Sequence, residues 1–386
     1  MQRFFLLLLL SLMVLPALAQ TGADTTGVPR KKKKKNQEPI VEVIGDDAAS
    51  HSAATQVTDT STTHKKKKKK RDDDKTPVIM QPDNTNFLTG DDLNSQSQDI
   101  HHFNTVDDEA NKLNQEGLQL IDLKLYDQAR LKFDSVISLY PMAVASNVAY
   151  LYRAKAKMGL NDLDGALLDV NTFIKFDSEQ SSFYTDARYT LGLIYFYKGS
   201  FPEAVSSFSE ALKDSTFRQK KFTFLYRAYS LGQMGSYIDA IRDFTRFLNL
   251  DNLNSVSSAD ALFNRGFYKS KVYDYRGASK DYTEALDLYR SAYENMYSPN
   301  HQIYHNKIVQ TLIQRGLSKT EIAKYDEAVA DFTEVIGMSP DNALAYRLRG
   351  LAKIKGKLTD DGCLDLSTAG QMGDNDAYND IKQNCK

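Results

Sequence analysis

Residues 316–340 read GLSKTEIAKYDEAVADFTEVIGMSP, and this stretch decides the fold of most of the chain. Two small residues, Gly316 and Ala328, stand twelve positions apart, and the bulky Phe332 follows the second by four. Apolar residues in the second half recur at the i, i+3, i+4 spacing of an amphipathic helix, without the alternation of a strand. Small side chains let two helices approach closely, and a bulky neighbour fills the adjoining space. The stretch therefore predicts two antiparallel helices, the second of which is ended by Pro340.

The same spacing occurs seven times between residue 106 and residue 386. The paired small residues are Gly117/Ala129, Ala154/Ala166, Gly192/Ala204, Ala228/Ala240, Gly266/Ala278, Gly316/Ala328 and Gly350/Gly362. The bulky residues four positions after each second member are Phe133, Val170, Phe208, Phe244, Tyr282, Phe332 and Leu366. Self-similarity at such a period indicates a repeat array, in which each helix pair needs its neighbours to bury its apolar face.

These units resemble the tetratricopeptide repeat, a helix–turn–helix module of 34 residues. The resemblance is clearest in Gly117…Tyr126-Asp127-Gln128-Ala129…Phe133…Pro141 and in the equivalent run from Gly316 to Pro340. It implies an all-α solenoid over 106–386, a right-handed superhelix with a concave groove lined by the first helices. The repeats would span 110–143, 147–180, 185–218, 221–254, 259–292, 309–342 and 343–376, with an insertion at 293–308 and a capping helix at 376–386.

The first 19 residues have the order of a secretory signal peptide. Arg3 precedes an apolar run that ends at Pro16, and Ala17-Leu18-Ala19 is a small-x-small cleavage sequence. The run is too short to span a bilayer, which takes about 20 apolar residues. We expect an exported protein, periplasmic or secreted, and not a lipoprotein, because no Cys stands at the cleavage site.

Residues 20–105 are rich in Thr, Ser, Asp, Gln and Lys and lack periodic apolar residues. Such a composition predicts a disordered linker, since it cannot bury enough surface to offset chain entropy. Two cationic blocks, Lys31 to Lys35 and Lys65 to Lys70, stand out in it. They fit either a solvated spacer or an arm that binds anionic lipid or glycan.

The composition of the whole chain narrows the function. Lys+Arg is 49 and Asp+Glu is 50, so the net charge of −1 gives no polyanion-binding signature, and no nucleic-acid partner is expected. Six His and two Cys are too few for a zinc framework, and no catalytic motif occurs in a usable setting. We therefore expect no cofactor, no metal and no enzymatic activity. An isolated Cys363 and Cys385 in an oxidising compartment predict a disulfide, with two free buried thiols as the alternative.

The resemblance also suggests which residues would bind a partner. Positions three before, one after and four after the first small residue face the groove in this family. In repeats three to five these are Tyr189, Leu193, Phe196, Leu225, Tyr229, Phe263 and Phe267. Such an aromatic strip suits a peptide with hydrophobic anchors, although the same residues could instead pack against the adjacent repeat.

The resulting functional prediction is a non-enzymatic protein-interaction scaffold of the bacterial cell envelope, holding a peptide or protein segment in the groove. One alternative is an adaptor whose Lys blocks bind an anionic envelope surface while the repeats recruit a protein. The other is an enzyme or ligand receptor with an unrecognised site.

Overall fold

The computed structural model describes residues 105–177, 181, 183–251, 255–294 and 301–385. Within these residues the chain forms fifteen α-helices and no strand. The helices are α1 (Thr105–Asp122), α2 (Tyr126–Leu139), α3 (Val144–Gly159), α4 (Leu163–Phe176), α5 (Tyr184–Lys198), α6 (Phe201–Ala211), α7 (Lys220–Gln233), α8 (Tyr237–Leu250), α9 (Val256–Lys271), α10 (Tyr275–Tyr293), α11 (His301–Glu321), α12 (Tyr325–Met338), α13 (Ala343–Lys355), α14 (Thr359–Gln371) and α15 (Asn375–Asn384).

Seven consecutive helix pairs, α1–α2 to α13–α14, make up this array, and α15 follows the last pair. Each helix packs on its successor, and first helices also contact the first helices of adjacent repeats. The all-α solenoid predicted from the spacing of small residues is confirmed. The predicted signal peptide, the linker and both Lys blocks lie outside the described residues.

The small residues do what their spacing predicts. A Cβ atom added at Gly316 would lie 2.7 Å from ring atoms of Phe332, and one added at Gly350 would lie 2.7 Å from the carbonyl oxygen of Gly362. The second small residue is fully buried in most repeats: Ala129, Ala166, Ala204, Ala240, Ala278 and Ala328. Close approach of the two helices thus depends on the absence of larger side chains at these positions.

The turn inside each helix pair has one residue in the left-handed conformation, seven positions after the first small residue. These residues, with φ between 58° and 78°, are Lys124, Asn161, Gly199, Gly235, Tyr273, Ala323 and Lys357. The left-handed residue satisfies the last carbonyls of the first helix through backbone N–H groups, as at Gly199 and Ser200. One conserved turn geometry, rather than one residue type, therefore sets the hairpin.

The insertion between repeats five and six lengthens two helices without breaking the array. α10 is 19 residues long and ends at Tyr293, and α11 is 21 residues long and begins at His301, eight residues before the predicted start of repeat six. Arg290 on α10 pairs with Glu334 on α12 at 2.6 Å. Across the same region Lys307 on α11 reaches Asp260 on α9 at 2.6 Å. Helix packing and ion pairs thus continue from repeat five into repeat six.

A buried ion pair recurs along the array. The Arg immediately before the first small residue reaches the Asp three positions after the second, sixteen residues later. Five repeats have this pair: Arg153–Asp169, Arg227–Asp243, Arg265–Asp281, Arg315–Asp331 and Arg349–Asp365. The Asp side chains are 1–8% exposed. Each pair joins the first helix of a repeat to its own second helix.

The same Arg side chains also connect consecutive repeats. Nη1 of Arg265 donates to Thr245 Oγ1 at 3.3 Å, and Thr245 belongs to the second helix of the preceding repeat. Arg315 donates in the same way to Thr283 at 3.2 Å, and the Nη1 of Arg153 lies 2.7 Å from Asp134. We call this series of five Arg–Asp pairs the ladder. Its arginines connect the two helices of one repeat and also connect that repeat to the preceding one.

Two repeats depart from the ladder. Repeat one has the charges reversed, with Glu116 on the first helix and Lys132 on the second, 2.6 Å apart. Repeat three has Leu191 and Ser207 at the two positions and thus no ion pair there. Aromatic contacts are dense in that repeat, where the Phe196 ring lies 5.3 Å from the Tyr226 ring.

Candidate functional site

The first-helix face is the surface to which the sequence assigned partner binding. All seven predicted groove residues, Tyr189, Leu193, Phe196, Leu225, Tyr229, Phe263 and Phe267, lie on α5, α7 and α9. Their exposed fractions are 1–7%. All seven are therefore buried side chains, and their contact with a partner stays a prediction.

Ring contacts explain this burial. The Tyr189 ring packs 6.1 Å from Phe208, Tyr229 packs 5.1 Å from Phe244, and Phe263 packs 5.6 Å from Tyr282, each on the second helix of its own repeat. Phe196 contacts the rings of Tyr226 and Tyr229 in the next repeat. Large aromatic side chains gain more from these contacts than from standing in water. The packing interpretation of these residues, left open by the sequence, is the one their contacts support.

The equivalent positions in repeats six and seven differ. Ile313 and Leu317 on α11, and Leu351 and Ile354 on α13, are only half-buried. We call these four residues the C-terminal strip. They stand at i, i+4 on one helix and i, i+3 on the next, so each pair shares one helix face. Glu321 and Lys355, with side chains about half exposed, are 3.7 Å apart beside it. The strip offers accessible apolar surface bordered by charge.

Charged side chains on the first helices of the central repeats form ion pairs and hydrogen bonds with other residues of this chain. Lys155 Nζ donates to Asp186 Oδ2 at 2.6 Å, which joins α3 to α5. Asp260 accepts from Tyr289 Oη at 2.5 Å and from Lys307 Nζ at 2.6 Å. The buried Tyr289 has a pKa raised well above its ordinary value by burial, and by the nearby carboxylate. It therefore remains a neutral hydrogen-bond donor to Asp260, and this cluster ties repeats five and six together.

The terminal unit holds the two cysteines. Cys363 on α14 and Cys385 after α15 form a disulfide with a Cα–Cα distance of 5.9 Å. Arg347 on α13 lies 2.9 Å from Asp376 and 3.0 Å from Asp380 of α15. Tyr378 Oη donates to the Gly370 carbonyl oxygen at 3.0 Å. The bond, the ion pairs and this hydrogen bond hold α15 against the last repeat.

The two histidines of α11 each contact a neighbouring helix. His301 stacks on Tyr293 with ring centroids 3.9 Å apart, and a His305 ring nitrogen lies 3.3 Å from the Met338 carbonyl oxygen. No group of three or more His, Cys, Asp or Glu that could hold a metal ion occurs in the described part of the chain. Among those same residues, no helix is long and apolar enough to cross a membrane.

Sequence reasoning missed the Arg–Asp ladder. Its signal is an Arg directly before the first small residue and an Asp three after the second, as in Arg315-Gly316 and Ala328…Asp331. Isolated charges between apolar positions are usual on solvated helix faces, so single repeats do not reveal it. Comparison of the repeats with one another does.

Comparison with solved structures shows the same fold. The C-terminal part of a tetratricopeptide repeat protein from Cytophaga hutchinsonii aligns at 14% identity over 69% of this chain and 98% of its own, with a TM-score of 0.50. A tetratricopeptide repeat protein from Parabacteroides merdae aligns at 17% identity over 69% of this chain and 94% of its own (TM-score 0.42). YrrB, described as a protein of this type with an unusual peptide-binding site, aligns at 18% identity over 55% and 95% (TM-score 0.44).

No protein family model matches the sequence. No curated protein sequence matches it either. The fold assignment therefore rests on the repeat spacing, on the seven helix pairs of the described residues and on the likeness to solved structures. Together these show that the described part of the chain has the fold of a tetratricopeptide repeat α-solenoid.

Proposed function

We propose that the chain is a non-enzymatic protein-interaction scaffold of the bacterial cell envelope, exported by its signal peptide and holding a segment of a partner protein against its first-helix face. The observation that carries the proposal is the accessible apolar strip of Ile313, Leu317, Leu351 and Ile354 on an array of seven tied helix pairs. A rigid surface of this kind pre-organises binding, because little side-chain or loop ordering is needed on association. Two neighbouring apolar ridges fit a partner segment with hydrophobic anchors.

Export is supported by the signal-peptide order of residues 1–19 and by the Cys363–Cys385 bond, since disulfides persist in oxidising compartments. Periplasmic or secreted location is therefore part of the proposal. The Lys blocks from Lys31 to Lys35 and from Lys65 to Lys70 give it a narrower form, in which the linker also holds an anionic surface.

Position-specific photo-crosslinking tests the proposal. A benzophenone-bearing residue is placed in the full-length chain at Leu351, in the C-terminal strip, or at Leu364 on α14, which is 68% exposed. Both sites are leucines of repeat seven, so they differ mainly in the helix that presents them. We expect a partner protein to crosslink from Leu351 and not from Leu364. Crosslinks from Leu364 alone would assign binding to the second helices and overturn the proposed face.

A binding measurement completes the test. Leu351→Glu should weaken capture of that partner by tenfold or more, the loss typical of an interface anchor of about 1.4 kcal/mol or larger. Leu364→Glu is the control and should leave capture unchanged. Circular dichroism on both variants separates lost binding from lost folding.

A further inference from the structure

The first-helix face of α13 has one charged residue within an apolar ridge. Leu344, Arg347, Leu351 and Ile354 stand at i, i+3, i+7 and i+10, so they share one face of the helix. Leu344 is 43% exposed, and Leu351 and Ile354 are half-buried. On α11 the position equivalent to Arg347 is taken by Ile313. The C-terminal strip is therefore continuous, on its α13 side only, with a charged position.

Three carboxylates of the terminal unit lie around the Arg347 guanidinium. Its Nη1 is 2.9 Å from Asp376 and 3.4 Å from Asp374, and its Nε is 3.0 Å from Asp380. One positive charge among three negative charges leaves a local excess of two negative charges. Lys382 stands two residues from Asp380 and six from Asp376, so it lies on another side of α15. The strip thus ends beside uncompensated negative charge.

This negative charge is accessible from the groove side. The Asp376 side chain is 58% exposed. Burial raises the pKa of the Asp380 carboxyl, Arg347 opposes this effect and the two neighbouring carboxylates add to it, so the net direction is upward. A raised pKa beside an arginine indicates that the arginine does not neutralise the whole cluster. At the other end of the strip the two charged neighbours pair with each other.

A basic side chain is the group that this arrangement would recognise. Leucine and isoleucine attract apolar anchors, and a lysine or arginine can pack its methylene stem on the same surface while its charged head reaches a carboxylate. A neutral segment would leave the excess charge unpaired, and an acidic segment would be repelled. The surroundings of Leu351 therefore favour basic over acidic segments.

We propose that the C-terminal strip binds a partner segment in which a lysine or arginine stands among apolar anchors, and that Asp376 and Asp380 pair with this basic side chain. The inference rests on the proposed function, because it names the class of partner that the strip takes. The apolar anchors supply most of the affinity. The carboxylates supply selection for a basic segment and a salt-dependent rate of association.

Peptide selection on the full-length chain tests this preference without a natural partner. Random peptides displayed on phage are selected for binding, and those that no longer bind Leu351→Gln are kept. This substitution removes an apolar anchor and leaves the local charge unchanged. We expect the kept peptides to share a lysine or arginine at a fixed spacing from apolar residues. Kept peptides that are neutral or acidic, or the absence of any peptide that depends on Leu351, would overturn the proposal.

A charge exchange then measures the contact. Asp376→Lys should weaken a selected peptide about tenfold or more and strengthen a version whose basic residue is replaced by Glu. Asp360→Lys is the matched control, since Asp360 is likewise an exposed acidic residue in the first turn of its helix, α14. It should leave the affinities of both peptides nearly unchanged. A selected peptide that binds Asp376→Lys as tightly as the unsubstituted chain would overturn the proposal.

A milder variant covers the case in which Asp376→Lys releases α15 and loses both peptides. Asp376→Asn leaves Asp374 and Asp380 beside Arg347, so the terminal helix keeps two of its three contacts with that side chain. It should weaken the selected peptide about threefold and reduce the effect of added salt on its affinity. An unchanged salt dependence in Asp376→Asn would refute the contact.

The crosslinked partner of the proposed function separates the two proposals. Its peptide attached at Leu351 should contain a lysine or arginine close to the crosslink. A partner attached through an acidic or uncharged segment would refute the basic preference and leave the scaffold role standing. Basic peptides selected through Leu351, without any partner protein crosslinked there, would support the preference of the strip and refute the scaffold role.

Discussion

Arg265 on α9 and Asp281 on α10 form a two-point ion pair, in which Nε and Nη2 of the arginine donate to the two carboxylate oxygens at 2.9 and 2.8 Å. The Asp281 side chain is 1% exposed, and Lys269 also reaches it at 2.9 Å. A carboxylate so deeply buried is stable only with these partners, because burying an unpaired charge is costly. The main effect of losing either partner would therefore be a buried charge without its counterion, which destabilises the folded state.

Asp281→Asn should destabilise the array by about 3 kcal/mol, since it leaves the Arg265 and Lys269 charges without their buried counterion. Urea unfolding followed by circular dichroism measures the change. Asp239→Asn is the control, because Asp239 pairs with Arg242 at an exposed site where both side chains are more than half exposed. Exposed ion pairs contribute about 0–1 kcal/mol, so Asp239→Asn should change the free energy of unfolding little. Equal effects of the two substitutions would contradict a structural role for the ladder.

Gly316→Ala should destabilise the protein by about 1–3 kcal/mol through overpacking, because the added methyl would lie 2.7 Å from the ring of the fully buried Phe332. Gly337→Ala on α12 is its counterpart, since a Cβ there meets nothing within 4 Å. That change should stabilise by about 0.5–1 kcal/mol, the usual gain of Ala over Gly inside a helix. Thermal melting of the two variants should move in opposite directions.

Phe263→Ala should cost about 3–5 kcal/mol of folding free energy, as expected for a 2% exposed aromatic packed on Tyr282. Phe176→Ala, at a 68% exposed site, should change stability by less than about 0.5 kcal/mol. Denaturant midpoints of the two variants and the unsubstituted chain measure these changes in stability. Unchanged stability of Phe263→Ala would show that its ring is a surface group after all and restore it as a direct partner anchor.

Loss of the Cys363–Cys385 bond should act locally. For a loop of this size, with a sequence separation of 22, the bond contributes roughly 3–4 kcal/mol in the chain-entropy model. In a repeat array each unit is stabilised by its neighbours, so Cys385→Ser should speed hydrogen exchange in α15 and α14 and leave α1 and α2 unaffected. Two alkylatable thiols in protein isolated under native conditions would show that the bond does not form in the cell.

The last repeat should weaken in acid. Burial favours the neutral form of Asp365, but hydrogen bonds and charge from Arg349 and Lys353 outweigh it and hold the pKa of the carboxyl below its ordinary value. The stabilisation is complete above the unfolded pKa of about 3.9 and is lost as pH falls through the lower folded value. Exchange protection of α14 should therefore drop below about pH 4 in the native chain. In Asp365→Asn it should already be reduced at pH 7, with a flatter acid response.

The helix pairs were predictable because small residues such as Gly192 and Ala204 are placed by contact geometry, which leaves a direct trace in the sequence. The burial of Tyr229 was not, because helical periodicity groups residues by face without telling which of two apolar faces is covered. The Arg–Asp pairs were not predicted for a related reason. Within its own repeat Asp331 resembles any carboxylate on a helix surface, and only alignment with the equivalent Asp residues of the other repeats shows the pattern. The end of α10 at Tyr293 depends on contacts with α11 and α12 that no local signal encodes.

The reversed pair of repeat one, Glu116 with Lys132, has a consequence for folding fidelity. Repeats of similar sequence can exchange helices during folding, and a ladder of one polarity would tolerate such errors. If α1 paired with α4, Glu116 would meet Asp169, and if α3 took the place of α1 on α2, Arg153 would meet Lys132. Both mispairings bring like charges together in a half-buried setting, whereas the native order places opposite charges at these paired positions. The reversed charges of the first helix pair thus disfavour its mispairing with helices of the next repeat, and they fix the register of the array at its N-terminal end.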